Sequence, residues 1–170
     1  MRLIINRVFC VLSLVVSFGS VALGQTVTST YDEDANLSRL RTFVFKEQKR
    51  ERLDRLATDT LTEKKIKEAL SDELEAGGYR PAAEGISPDF LISFLVGTRD
   101  KNDERGRDKS YVQGSLIVDF FDAETDGLVW RGIASGIVGQ DAVDLKLTEE
   151  KVKRAAKLLM ELFAKNRAGI

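Results

Sequence analysis

Asp119 and Asp122, three residues apart, come nearest in this chain to a pair that could do acid–base chemistry, since two carboxylates flanking a bond can protonate a leaving group and activate a nucleophile. Little else could react. Histidine is absent from all 170 residues, which excludes Ser-His and Cys-His nucleophile pairs and imidazole-ligated metal sites. Carboxylates, lysine, tyrosine and hydroxyls are what remain. Residues three apart on a strand project to opposite faces unless a bulge intervenes, and this spacing is poor for shared proton transfer. Asp122 reads better as the residue that opens the turn Asp-Ala-Glu-Thr-Asp-Gly. The expectation is therefore a chain with no catalytic, cofactor-binding or metal-ligating residues, and not an enzyme.

The first residues determine where these side chains would act. Arg2 and Arg7 precede an uncharged run, Val8 to Gly24, that ends in Ala22-Leu23-Gly24, small residues of the kind a signal peptidase reads. The reading is a cleaved export signal over residues 1–24 and one domain over residues 25–170. The alternative is a retained anchor, which at about 17 apolar residues is short against the roughly 20 that span a bilayer. Cys10 lies inside the apolar run without a small-residue lipobox, and Gln25 follows Gly24, so a lipoprotein is not expected.

Loss of the leader removes Cys10, leaving neither a disulfide nor a thiolate site. Packing alone must then hold the domain. The chain has 26 basic and 27 acidic residues, and losing Arg2 and Arg7 takes the net charge to about −3. Nucleic-acid binding, which rests on a positive surplus, is not expected. Nor is stable membrane insertion after cleavage.

The elements that would position a site follow in order. Thr26 to Asp32 and Thr42 to Phe45 are β-prone runs joined by a polar connection. Residues 46–56 are mostly charged and predict a solvated loop or weak helical turn. Thr60 and Glu63 have capping-box spacing, and Ile66, Ala69, Leu70 and Leu74 recur at helical spacing behind them. Gly77-Gly78 supplies positive φ at the helix end. Phe90 to Val96 is a nearly continuous apolar run, read as a strand covered on both faces or central in a sheet. Residues 97–110 are almost all charged and predict a mobile surface loop. Thr148 can cap a final helix with Val152, Ala155, Ala156, Leu159, Leu162 and Phe163 as its buried stripe.

Residues 111–138 read as a long β-hairpin around the acidic turn. Pairing Val118 with Trp130 and Phe120 with Leu128 gathers Val112, Leu116, Val118, Phe120, Leu128 and Trp130 on one face. The other face receives Ser115, Ile117, Asp119, Phe121, Val129, Arg131 and Ile133. Asp126 or Gly127 would take the left-handed turn position. Gly132, Ala134 and Gly136 form a row of small residues, expected to admit a closely packed helix, with a ligand groove as the alternative. The order β, β, α, β, β, β, α predicts an α+β fold: a two-layer sandwich with a mainly antiparallel sheet of about five strands and two amphipathic helices on one face.

Four stretches make the chain resemble the DUF4136 family of small exported bacterial proteins, many of them lipoproteins. They are Tyr31-Asp32, Arg41 to Phe45, Ile66 to Tyr79 with its Leu-Glu-Ala-Gly-Gly-Tyr ending, and Gly114 to Gly132. The last is the most specific, with Gly-x-Leu-x-Val-Asp-x-x-Asp-Ala-x-Thr ahead of Leu-Val-Trp-Arg-Gly. Phe45 stands where the family often has tryptophan, Asp126 where it often has glycine, and the lipoprotein cysteine is missing. The resemblance implies a cell-envelope context and carries over no functional residue.

The sequence therefore favours a noncatalytic envelope domain, periplasmic or extracellular, that binds a protein or envelope polymer through the sheet face carrying Ser115, Asp119, Phe121 and Arg131. A periplasmic carrier of a small apolar or lipidic ligand is the alternative. A hydrolase built on Asp119 and Asp122 is the third. Oligomeric state is not determined at this level.

Overall fold

The computed structural model describes residues 25–46, 60–102, 110–139 and 149–169, and of Thr60 and strand residues 98–102, 110–113 and 137–139 it describes the backbone alone. The expected signal segment, the charged run after Lys46, the middle of the charged loop and the Thr60 and Thr148 capping side chains lie outside what is described. Six strands and two helices follow in order: β1 (Thr26–Tyr31), β2 (Thr42–Phe45), α1 (Thr60–Ala76), β3 (Arg80–Pro81), β4 (Phe90–Asn102), β5 (Ser110–Asp122), β6 (Leu128–Gly139) and α2 (Glu149–Ala168). A 3-10 turn, Leu37–Arg39, sits between β1 and β2.

The strands form one mixed, mostly antiparallel sheet in the order β1-β6-β5-β4-β2-β3. The fold is α+β, as the element order predicts, with six strands where about five are expected. The additional strand is β3, a two-residue piece alongside β2. Both β3 and β4 run parallel to β2, and the crossover from β2 to β4 contains α1. The helix phase follows the sequence periodicity, with Ile66, Ala69, Leu70 and Leu74 of α1 and Val152, Ala155, Ala156, Leu159 and Phe163 of α2 all buried in one core. Leu162, expected in that stripe, is only half-buried.

Strand β4 meets the second of the two readings of its apolar run and corrects the loop expected after it. Phe90, Ile92, Phe94 and Val96 are buried, whereas Leu95 is 48% exposed; the run is central in the sheet but covered on one face among the described residues. It also extends through residues 97–102, pairing with 110–115 of β5 in unbroken register. Charged residues do not prevent a strand from continuing when backbone pairing is satisfied.

The hairpin has the expected strands but a different register. Phe120 faces Trp130 and Val118 faces Gly132, two residues from the expected pairing. A shift of two preserves which face each side chain occupies, which is why the alternating pattern could not detect it. Between Phe120 and Phe121 the register slips, because Phe121 faces Leu128 and Val129 is left as the extra, bulged residue. Leu128, expected in the core, is consequently 41% exposed, while Val129, expected on the other face, is buried. Asp126 takes the left-handed position at φ 54°.

Candidate functional site

The helix-covered face of the hairpin is filled. Trp130 packs against Phe120 and Phe163 at ring-centroid distances of 5.0 and 5.2 Å, and Phe120 meets Phe90 at 5.0 Å. The indole Nε1–H donates to Asn166 Oδ1 at 2.9 Å, and the same oxygen accepts the Ser29 hydroxyl at 2.7 Å. That one amide joins β1, β6 and α2. A Cβ added at Gly132 would lie 2.2 Å from the Trp130 ring and 2.7 Å from Leu159. The small residue there admits the helix and the indole, so that end of the row is close packing rather than a ligand groove.

Asp119 and Asp122 are not brought together. Asp119, on the open face, accepts two hydrogen bonds from Arg131, from Nε at 2.6 Å and from Nη2 at 2.7 Å. The observed register places these residues directly opposite each other. The bidentate carboxylate holds the Arg131 pKa above its ordinary value, first by hydrogen bonding and then by charge.

Asp122 is buried on the opposite side and acts on its own turn. Its Oδ1 accepts the Glu124 and Thr125 N–H groups, each at 3.0 Å, and the Thr125 hydroxyl at 3.2 Å. Its Oδ2 accepts Arg39 Nη2. Burial alone would raise the carboxyl pKa; the bonds from Thr125, Arg39 and Glu124 outweigh it and hold the group below the usual carboxylate range. It stays ionised at neutral pH and has no proton to donate as an acid. A cleft of about 360 Å3 beside it is lined by Asp32, Asp34, Asn36, Arg39 and Val129 among others. No group of three potential metal ligands occurs among the described residues.

Asp89 performs a related task that the sequence disguises as a turn residue. Its Oδ2 accepts the Arg41 and Thr42 N–H groups at 2.9 and 2.8 Å and the Thr42 hydroxyl at 3.1 Å, joining the starts of β2 and β4. Burial pushes its carboxyl up, but these bonds leave it lower than usual. Neither Arg39 nor Asp89 belongs to a periodic pattern, so only the chemistry of the side chains, not their spacing, could have singled them out.

The open face gathers what remains. Ser115, Asp119, Phe121 and Arg131 all lie there, joined by Ile117, Ile133, Leu91, Leu95 and Val44 from neighbouring strands. Ser115 and Ser135 share a hydroxyl hydrogen bond of 2.9 Å. Lys46 Nζ sits 3.9 Å from the Phe121 ring centre and pairs with Asp126. Leu95, Leu128 and Val44 are 48, 41 and 40% exposed. This face combines exposed apolar area with a fixed charge pair.

The model of the family described as Domain of unknown function (DUF4136) matches residues 27–165. The chain belongs to the DUF4136 family. Residues through which the sequence resembles the family have visible structural tasks here: Asp122 and Thr125 close the turn, Trp130 fills the core, and Gly132 admits Trp130 and α2. No curated protein matches this DUF4136 chain in sequence. Among solved structures, a PDZ domain protein from Parabacteroides distasonis is similar at TM-score 0.58 and 14% identity, with 80% of this chain covered and 35% of that one. The DUF4136 domain thus spans about a third of that protein. A PelC dodecamer from Paraburkholderia phytofirmans is similar at TM-score 0.51 and 13% identity, over 82% of this chain and 97% of the PelC chain. Identities this low show a shared fold. No helix among the described residues is long and apolar enough to cross a membrane.

Proposed function

We propose that this DUF4136 protein is an exported, noncatalytic domain of the cell envelope that binds a protein or envelope polymer through the open face of its sheet. The observation that carries the reading is the composition of that face, where exposed Leu95, Val44 and Leu128 share one side of the sheet with the Asp119–Arg131 pair. Large apolar side chains grouped on one side of a sheet favour burial by a partner, and a fixed ion pair gives such contact an orientation. The chemistry supports binding over turnover, because both candidate carboxylates are committed to arginines. That a PelC chain of similar fold forms a dodecamer supports an association role. The leader expected over residues 1–24 supports the envelope, in the periplasm or outside the cell, without lipidation.

Photo-crosslinking in cells tests the reading, with the probe placed singly at Ser115 and at Leu95, and at Lys157 on exposed α2 as the control. One recurrent adduct with an envelope component from the first two positions and not from the third is expected. Identical adduct patterns from all three, or none from the open face, would overturn it.

A further inference from the structure

The free edge of the sheet next to the helix-covered core has properties that the open face does not share. β1 is the terminal strand, paired on one side with β6 over Thr26 to Tyr31 without a bulge. Asp32 N–H donates to the Val129 carbonyl at 3.1 Å. Strict alternation along the strand then turns the backbone groups of Thr28 and Thr30 toward β6 and those of Val27, Ser29 and Tyr31 outward. Among the described residues nothing pairs with them. Exposed edges are ordinarily protected by lysine, proline, bulges or extreme shortness. β1 has six residues, TVTSTY, and none of these devices, in a chain that is 31% charged.

The side chains of this edge are complementary to themselves. Rotating a copy by a two-fold axis perpendicular to the sheet and centred on Ser29 pairs β1 with its equivalent in antiparallel register. Thr28 then faces Thr30 of the second copy on the open side, and Val27 faces its Tyr31 on the helix side. Tyr31 is 41% exposed and Val27 is partly buried against the core; together they make the aromatic and β-branched cross-strand pair that stabilises antiparallel ladders. Threonine opposite threonine adds hydroxyl contacts and no repulsion. The α2 helices, which pack over β1 and β6, would approach each other across the axis. We propose that β1 is a homodimerisation edge whose partner is β1 of a second copy, producing one continuous twelve-stranded sheet. Closed two-fold symmetry satisfies both edges at once and leaves no further copy to recruit there.

Light scattering on the exported protein across micromolar concentrations tests this, with circular dichroism to verify folding. The wild type is expected to be a dimer. Thr28→Lys with Thr30→Lys places like charges opposite each other on surface positions and is expected to give a folded monomer. Tyr31→Ala, a milder change that removes two symmetric cross-strand pairs, is expected to weaken the dimer by about two- to thirtyfold. Leu95→Ser, on the open face, is expected to leave the dimer intact while reducing the crosslinking described above, so the two proposals fail separately. A wild type that is monomeric throughout, a dimer that persists in the double-lysine variant, or a dimer of unchanged affinity in Tyr31→Ala would overturn the inference.

Discussion

The two faces of one sheet use the same residue classes for opposite ends. On the helix side, Phe90, Ile92, Val118, Phe120 and Trp130 are completely buried, and a single added carbon at Gly132 would collide with two neighbours. On the open side, Leu95, Leu128 and Val44 remain 40% exposed or more. Charge repeats the contrast. Asp122 is buried and holds two backbone N–H groups and an arginine from 83 residues away in sequence, whereas Asp119 and Arg131 face each other across adjacent strands with the arginine side chain 44% exposed. Burial and distant partners make the first carboxylate part of the fold, whereas the second, itself 15% exposed, is tied to the arginine of the adjacent strand.

The contrast can be tested first at Trp130. Trp130→Ala removes an aromatic body touching two others and takes one of two donors from Asn166 Oδ1, and should cost about 4 kcal/mol in a denaturant melt. A loss below about 1 kcal/mol would place the core elsewhere. Gly132→Val should cost about 3 kcal/mol through overpacking, read as a lowered melting temperature with the fold retained.

Asp122→Ala should cost about 2 kcal/mol, since Arg39 and two turn amides lose their acceptor in a water-poor setting. The same side chain sets an acid sensitivity. Its folded pKa lies below the unfolded value near 3.9, so its contribution is complete above about pH 4 and is lost as pH falls through the folded value. Unfolding measured between about pH 5 and 2 should therefore show a shallower pH slope in Asp122→Asn than in the wild type.

The smallest effect belongs to the open face. Changing Asp119 and Arg131 together to alanine should alter stability by less than about 1 kcal/mol, as for other exposed ion pairs. Crosslinking from Ser115 should nevertheless fall. A double variant that unfolds would make the pair structural and erase the distinction between the faces.

Much of this was legible in the sequence. Period-3.6 spacing identified both helices and their buried stripes because a helix has one way to present residues three and four apart. Period-2 spacing sorted most of the hairpin side chains between faces, and the turn chemistry narrowed the left-handed residue to Asp126 or Gly127, of which the structure uses Asp126. Those are local properties, set by backbone geometry within a few residues, and they sufficed for the α+β class and for Ser115, Asp119, Phe121 and Arg131 sharing a face.

The tertiary structure decided what local periodicity leaves degenerate. A shift of two residues keeps every side chain on its face, so the register of Phe120 against Trp130 had to be selected by packing around the indole and by the bulge at Val129. The parallel placement of β2 beside β4 depends on Asp89 reaching backbone amides 47 and 48 residues earlier in the chain. The role of Asp122 depends equally on distant Arg39. Contacts between residues so far apart leave no periodic trace, because their partners are selected by the closing of the fold rather than by the course of the chain.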